Sequence, residues 1–351
     1  MKFLLRLLPI LRFIFALALL LSLAACKNHG GRSHEVAYVS APQTFLRDRV
    51  ATVYNKVATV KNGDRLEVLE RSNNKRFVHV RMANGTDGWV EQRSLVGEDV
   101  FAAFQKLATD NAKSVVQAQG ITHSETNLHV TPGRETEHLY QLTQGGKVAL
   151  LKRAVAEKTL LGGAPARPKQ TANEKASKAT DAPQPILEDW WLLRDDQNRV
   201  GWVLARLIDL DVPLEIAQYA EGQRMVAFFV LREVQDTNEG VTKQVPEYLV
   251  LSTEPKDGQD FDFNQIRVFT WNTKRHRYET AYREHHLDGE LPVTVAHEDF
   301  GKEGNLPVFT LHVKDDAGKL LDRKYKMNGP IVRRVYASGE EPATAKQRRR
   351  R

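Results

Sequence analysis

Two stretches in the first two thirds of the chain repeat each other, and this internal repeat constrains the fold more than any other feature. The aligned pairs are residues 46–69 with 128–151 and residues 77–95 with 190–208. Each copy ends in the same triplet, Gly88-Trp89-Val90 in the first and Gly201-Trp202-Val203 in the second. The repeat therefore predicts two small domains of the same architecture.

The second copy carries an insertion between its two aligned stretches. Residues 162–185 contain no Leu, Ile, Val or aromatic residue and are mostly Ala, Lys, Thr and Pro. Such a segment cannot bury enough apolar surface to offset the entropy that is lost on ordering. We therefore expect a disordered loop over residues 155–187.

The local pattern within each copy is typical of short strands. Leu66 and Val68 alternate with polar neighbours, and residues 77–80 are aromatic and β-branched, as strands prefer. Asn84-Gly85 favours a tight hairpin turn. Between the copies, Phe101, Phe104 and Leu107 have helical spacing. This spacing predicts one linking helix within residues 97–120, ending at Gly120.

The region from residue 213 to residue 336 is predicted to be a third domain. Runs such as 225–231, 248–251 and 308–313 are apolar and β-branched, and turn signals separate several of them. Evenly spaced strands indicate an antiparallel meander, sandwich or barrel, of which a sandwich or a meander is preferred. The basic tail at residues 337–351 is expected to be disordered.

The repeat resembles the bacterial Src-homology-3-type domain. The resemblance rests on these motifs: Lys61-Asn62-Gly63, Leu66-Glu67-Val68-Leu69, Trp190-Trp191-Leu192-Leu193 and both Gly-Trp-Val triplets. It implies a first SH3-like barrel at 38–96 and a second at 121–212. The predicted fold class is thus all-β, with two small SH3-like barrels joined by one helix and followed by a C-terminal antiparallel β domain.

The same resemblance implies a ligand groove on each barrel. Alignment with Val78 and Val80 predicts that Trp191 and Leu193 face the core, so that Trp190 points outward near the groove. The alternative for Trp190 is packing against the insertion or the helix. The candidate ligand-binding residues are Trp190, Phe77 and His79, whereas Trp89 and Trp202 are expected to be structural.

The N-terminus has the pattern of an export signal. A basic segment precedes an apolar run over residues 13–25, which is shorter than the roughly 20 residues that a spanning helix needs. Leu23-Ala24-Ala25-Cys26 resembles the bacterial lipobox, which implies a signal peptide at 1–25 and lipidation of Cys26, the only cysteine. Residues 26–37 would form a tether. Lys27 in place of Asp favours the outer membrane, facing the periplasm.

The charge distribution argues against a nucleic-acid partner. The formal net charge is +7, but the predicted signal and the C-terminal basic tail carry most of it. A nucleic-acid domain would instead concentrate basic residues on its folded surface. The partners predicted are the membrane, through the lipid anchor, and peptidoglycan or an envelope protein; the oligomeric state is left open.

No catalytic signature stands out in the sequence. A Cys/His hydrolase needs a thiolate, and the lipid is expected to occupy Cys26; no Gly-x-Ser-x-Gly, Walker or Rossmann motif is present in the sequence. A metal trio of His276, His286 and His297 is conceivable, but a solvent-exposed polar stretch is the preferred interpretation. Asp260 and Asp262 are expected to lie at solvated strand ends. We predict no enzyme activity, no cofactor and no metal.

These features together predict a non-enzymatic envelope lipoprotein that binds peptidoglycan or a peptide or protein partner. Family analogy alone supplies that ligand class. One alternative is an accessory protein that docks another envelope protein through its C-terminal β domain. The other is a cell-wall hydrolase with an unfamiliar site within residues 215–336.

Overall fold

The computed structural model describes residues 35–159 and 185–336. The predicted signal peptide, Cys26, the middle of the insertion and the basic tail lie outside these residues. Within the described ranges, no helix is both long enough and apolar enough to cross a membrane. The chain divides into two compact units, one holding Gln43–Leu95 and the other running from Val96 onward.

Three antiparallel sheets of seven strands each make up almost all of the described structure. The predicted all-β class is therefore confirmed, with an SH3-like arrangement in the N-terminal sheet. In none of the three does strand pairing among the described residues close a barrel. The first helix is α1 (Glu98–Asp110), and the second, α2 (Leu214–Ala217), is a single turn.

The first sheet contains the N-terminal strands. They are β1 (Val36–Val39), β2 (Gln43–Arg47), β3 (Lys56–Lys61), β4 (Arg65–Arg71), β5 (Phe77–Arg81), β6 (Asp87–Glu91) and β7 (Leu95–Gly97), with a 3-10 turn at Gln92–Ser94 before β7. Their order in the sheet is β3-β2-β6-β5-β4-β1-β7. Leu46, Val78 and Val90 are fully buried between the strands and form its core.

The second sheet repeats the first, strand for strand. Its strands are β8 (Ala118–Thr122), β9 (Thr126–His129), β10 (His138–Leu142), β11 (Lys147–Glu157), β12 (Leu187–Asp195), β13 (Val200–Leu204) and β14 (Ile208–Leu210), with a 3-10 turn at Ala205–Leu207. Their order is β10-β9-β13-β12-β11-β8-β14. Each strand thus occupies the place of its counterpart in the first sheet.

The pairing register also repeats. Val78 pairs with Val90 in the first sheet, and the aligned Trp191 pairs with Val203 in the second. A Cβ on the glycine of either triplet would collide with the strand beside it: at Gly88 it would lie 2.9 Å from the Leu46 Cβ, and at Gly201 2.8 Å from the Leu128 Cβ. Only glycine permits this close approach, which explains why the Gly-Trp-Val triplet occurs twice.

Several predicted boundaries were wrong because strand pairing extends the sheets. The first domain begins at Val36, within the predicted tether, since β1 pairs with β4. The helix ends at Asp110 instead of Gly120, because residues 118–121 pair with β11. The predicted loop at 155–187 is shorter at both ends, since Val155–Glu157 pair with the start of β12. The middle of this loop lies outside the described residues, so its predicted disorder stays a prediction.

The helix α1 packs on the second sheet. Phe104 is buried, contacts Tyr140 edge to face with ring centroids 5.2 Å apart, and lies beside Gly201. Farther along the helix, Leu107 and Ala108 pack against a buried cluster that includes Leu192. The apolar stripe that predicted the helix is therefore the surface that covers β12 and β13.

The third sheet is a meander in which every strand pairs with the next one along the chain. Its strands are β15 (Arg224–Asn238), β16 (Val241–Thr253), β17 (Phe263–Asn272), β18 (Arg277–Asp299), β19 (Asn305–Lys314), β20 (Leu320–Asn328) and β21 (Ile331–Val335), with a 3-10 turn at Gly301–Glu303. Of the two predicted arrangements, the strand order is that of the meander.

The long strand β18 changes partners halfway along its length. Its first half pairs with β17 as far as Gly289, and its second half pairs with β19 from Gly289 onward. A Cβ at Gly289 would lie 2.3 Å from the Phe263 ring, so this turning point requires glycine. Beyond the corner, Tyr325 of β20 donates a 2.8 Å hydrogen bond back to Glu284 in the first half of β18. The meander therefore folds back on itself at this strand.

A buried ion network joins the second sheet to the third. The Arg153 guanidinium donates to Asp189 at 2.6 Å and to Asp262 at 3.2 Å. Asp189 also accepts from Arg224 at 2.8 Å and from the amide of Gly258 at 2.9 Å, and it is only 2% exposed. The prediction that Asp262 is solvated was wrong, and burial raises its pKa despite the nearby arginine. The second and third sheets share these charges and lie in one unit.

Candidate functional site

One face of the first sheet collects aromatic and charged side chains. Along β5, Val78 and Val80 point into the core, so Phe77 and His79 lie together on the opposite face. Strands β2 and β6 add side chains to this face, and the loop after β2 adds a tyrosine. We call it the Arg47 face; it consists of Phe45, Arg47, Tyr54, Phe77, His79, Trp89 and Glu91.

Arg47 sits among three aromatic rings at the centre of this face. Its guanidinium carbon lies 4.2 Å from the ring centroid of Tyr54, 5.0 Å from that of Phe77 and 5.6 Å from that of Phe45. Cation–π contacts of this kind hold the guanidinium without using all of its N–H donors. Arg47 is therefore held in place while it keeps donors for a ligand.

Glu91 fixes the other side of this arginine. The Arg47 Nη2 donates to Glu91 Oε1 at 3.2 Å, and Arg93 contacts the second oxygen of the same carboxylate at 2.6 Å. Arg76 reaches Glu91 at 3.9 Å and stacks over Phe77. Three arginines thus surround one carboxylate, which leaves an excess of positive charge at this end of the face.

A flat aromatic surface extends from the arginine cluster. The rings of His79 and Trp89 stack with centroids 4.9 Å apart and planes inclined by 13°. The His79 Nε2 lies 2.8 Å from the Asp87 carboxylate, which fixes the orientation of the imidazole. Trp89 pairs with Arg47 across the neighbouring strand, so the stack is continuous with the arginine cluster. The face can therefore offer both stacking and charge-assisted hydrogen bonds.

The structure brings two of the three predicted ligand-binding residues together. Phe77 and His79 lie on the Arg47 face, although Phe77 is only 7% exposed because Arg47 and Arg76 lie over its ring. Trp190 belongs to the second sheet. The prediction that Trp190 points outward was wrong, since its side chain is only 2% exposed. His129 covers it edge to face, with centroids 5.3 Å apart. The predicted core positions of Trp191 and Leu193 are confirmed.

A cavity of about 270 Å³ nevertheless lies beside Trp190. Its lining residues include His129, Arg134, Thr159, Leu204 and Arg206. Burial, followed by the nearby His138, lowers the pKa of His129 to about 4. The imidazole is therefore neutral at neutral pH, whereas the equivalent position in the first sheet holds Arg47.

The histidines of the third sheet do not assemble a metal site among the described residues. His276 lies 3.0 Å from both oxygens of the buried Asp236, so it has a structural partner. His286 adopts a left-handed backbone conformation with φ of 58°, at an irregularity in the pairing of β17 with β18. The structure thus gives no support to a trio of His276, His286 and His297.

Sequence reasoning missed most of the Arg47 face. Arg47 and Tyr54 lie on either side of a turn in which the two copies share no recognisable motif. Trp89 was interpreted as structural because it lies in the repeated triplet. The available signal was the period-two alternation of β5 and β6, which places His79, Trp89 and Glu91 on the side opposite the core.

Comparisons with known proteins are informative for the first sheet only. The chain has no match among curated protein sequences. Two solved structures, NlpC2 and NlpC1 from Trichomonas vaginalis, align with 71% and 72% of this chain and with 92% and 89% of theirs. Their identities are 10% and 9% and their TM-scores are 0.17 and 0.16, so neither supports an argument about fold or activity. Residues 43–96 match the bacterial SH3 domain family, so the first sheet contains one domain similar to bacterial SH3 domains over these residues.

Proposed function

We propose that this protein is an exported lipoprotein, anchored through Cys26, and that its first SH3 domain binds peptidoglycan or a peptide partner without enzymatic activity. The observation that supports ligand binding is Arg47, held among three rings and Glu91 on a partly exposed face. We also propose that the second sheet, which shares the strand order of the first, is a second bacterial SH3 domain.

The chemistry of the Arg47 face favours a ligand that combines a flat or apolar group with a carboxylate or amide. The stacked His79 and Trp89 offer a surface for the apolar part, since aromatic side chains supply large contact area at low entropic cost. Arg47 offers donors for the oxygen atoms, and its contacts with Tyr54 and Glu91 preorganise it. Peptides of the cell wall and of envelope proteins both carry such groups.

The anchor is tested with Cys26→Ser in the full-length chain. The wild-type protein should incorporate labelled palmitate in the host and fractionate with membranes until detergent is added. The variant should lose the label because no other cysteine exists to carry it. Equal labelling of the two proteins would refute lipidation at this residue.

Ligand binding is tested by co-sedimentation of the full-length protein, in detergent, with purified peptidoglycan. Arg47→Ala should lose most of the binding, since truncating an arginine at the centre of a binding surface typically costs at least about 2 kcal/mol, roughly thirtyfold in affinity. Arg65→Ala is the matched control, because Arg65 is an exposed arginine on β4 of the same sheet. Equal loss in both variants would indicate non-specific charge attraction.

The same experiment distinguishes the alternative functions. Absence of sedimentation, together with a cross-linked envelope protein, would favour an accessory role. Release of soluble wall fragments would favour a hydrolase and contradict the non-enzymatic proposal.

A further inference from the structure

The turn between β2 and β3 exposes apolar side chains to an unusual degree. Val53 is 83% exposed, and Val50 and Val57 are 40% and 44% exposed. All three lie within eight positions of one another and next to Tyr54. We call residues Asp48–Val57 the hairpin tip. Clustered exposed apolar residues of this kind mark a surface that contacts a partner or a membrane.

The second sheet has no such feature at the equivalent turn. Val50 corresponds to Pro132, and Val53 corresponds to the exposed Glu135. The topology of the domain therefore does not require apolar residues at positions 50 and 53. Val57 differs, since it corresponds to the buried Leu139. The presence of Val50 and Val53 in the first copy alone indicates a role that belongs to the first domain.

The hairpin tip is held in a fixed shape. The Asn55 amide donates to Asp48 Oδ1 at 2.8 Å and its side chain donates to Oδ2 at 3.0 Å, while the Asp48 amide donates to the Asn55 carbonyl at 3.1 Å. Arg49 and Asn55 lower the pKa of Asp48 to about 2, so this clamp persists across the physiological pH range. Val50 and Val53 are thus presented by a closed loop with little ordering entropy left to lose on contact.

The charges around the tip complement an anionic surface. Arg49 and Lys56 are exposed on either side of Val50 and Val53. Arg49 is paired with Asp48 at 2.8 Å, and Asp48 is the only acidic residue of the segment, so one positive charge is left over. Basic side chains beside exposed apolar and tyrosine side chains are the composition of segments that lie in the membrane interface.

The position of the tip in the chain also suits a membrane. Glu35, the first described residue, follows the proposed lipid-bearing Cys26 by nine positions. A fully extended chain of that length spans at most about 30 Å. The first domain therefore stays within roughly its own diameter of the bilayer surface, where a weak second contact has a high effective concentration.

We propose that the hairpin tip inserts Val50 and Val53 into the interface of an anionic membrane, as a second contact beside the lipid. This inference rests on the proposed anchoring through Cys26. The second contact would also fix the orientation of the first domain relative to the membrane, because two points of attachment restrict rotation about the tether.

The test uses the lipidated full-length chain, reconstituted in vesicles of phosphatidylethanolamine and phosphatidylglycerol. In Val53→Cys the new residue is the only free thiol, because the lipid occupies Cys26, and an environment-sensitive fluorophore is attached there. Val241→Cys is the matched control, since Val241 is also an exposed valine, at the turn between β15 and β16. The fluorophore at position 53 should emit at shorter wavelength and be quenched by spin-labelled lipid, and both effects should weaken in phosphatidylcholine vesicles.

Several results would overturn the proposal. One is a fluorophore at position 53 that emits at the wavelength typical of water, in chains that float with the vesicles. Another is equal quenching by spin-labelled lipid at positions 53 and 241. A shift that appears only after peptidoglycan fragments are added would show that the tip contacts that ligand instead. Failure of the anchor is read separately, by loss of flotation. Val53→Cys is then repeated with Cys26→Ser and titrated with the same vesicles, where the absence of any shift would refute the membrane contact.

Discussion

The first and second sheets share strand order, register and glycine contacts, yet their equivalent faces differ in what they do in the structure. In the first sheet, His79 and Trp89 stack on a partly exposed face. In the second sheet the aligned positions are Leu192 and Trp202, which belong to the apolar cluster beneath α1. The same backbone therefore carries a partly exposed surface of aromatic and charged side chains in one copy and a buried apolar surface in the other.

This difference shows that a repeated backbone need not repeat the surroundings of its side chains. The second sheet is bonded to its surroundings on two sides, by α1 on one face and by the Arg153–Asp189 network toward the third sheet. Its residues at the repeated positions are therefore constrained by packing. The equivalent residues of the first sheet have partly exposed, polar surroundings that leave room for a ligand.

The largest expected effect comes from breaking the ion network. Asp189→Ala leaves the buried guanidinium of Arg153 without its main partner, and loss of one member of a buried ion pair costs about 3–5 kcal/mol. The aligned position in the first sheet is Arg76, which is exposed, so Arg76→Ala should change the free energy of unfolding by less than about 0.5 kcal/mol. Thermal or denaturant unfolding of both variants measures the contrast. Similar destabilisation by the two would contradict it.

The next effect concerns the face of the second sheet that α1 covers. Leu192→Ala should cost about 2–5 kcal/mol, because it opens a cavity between β12 and α1. His79→Ala, at the aligned position, should cost less than about 1 kcal/mol, since it removes a surface stack and one hydrogen bond. Denaturant midpoints provide the comparison. A large effect of His79→Ala would mean that the Arg47 face is itself part of the core packing.

A smaller effect is predicted for acid stability. The pKa of His129 is lowered to about 4, so the unfolded chain takes up a proton below about pH 6.5 that the folded chain does not accept. Stability should therefore fall as the pH drops from about 6.5 toward 4, by at most about 2 kcal/mol at pH 5. His129→Gln should remove this part of the pH dependence. Arg47→Gln, at the aligned position, should leave it unchanged, and melting temperatures across this range measure both.

The alternation of side chains made much of this predictable. The alternation of side chains along a strand, together with the repeat, predicts core positions for Val78, Val80, Trp191 and Leu193. All four residues are buried, so these predictions are confirmed. Trp190 shows where that reasoning stops. Alternation places it on the face opposite Trp191, but only the fold shows that His129 covers that face. Coverage by a distant segment leaves no local signal in the sequence.

The misplaced boundaries have a similar cause. Gly120 looked like the end of a helix, yet it pairs with Val148 in the second sheet. Asp262 looked like a solvated strand end, yet it meets Arg153, which lies more than a hundred residues away in the sequence. In both cases a long-range partner outweighs the local preference, and a single sequence does not reveal which partner that is.

We propose that the SH3 domain of the first sheet carries the ligand surface, whereas the equivalent surface of the second sheet serves packing. The most direct test compares Trp89→Ala with Trp202→Ala in peptidoglycan co-sedimentation, with the melting temperature of each variant measured in parallel. We expect Trp89→Ala to lose most of its binding with little change in melting temperature. Trp202→Ala should melt earlier and bind like the wild type while it is folded. Full binding by Trp89→Ala, or loss of binding by folded Trp202→Ala, would contradict the claim.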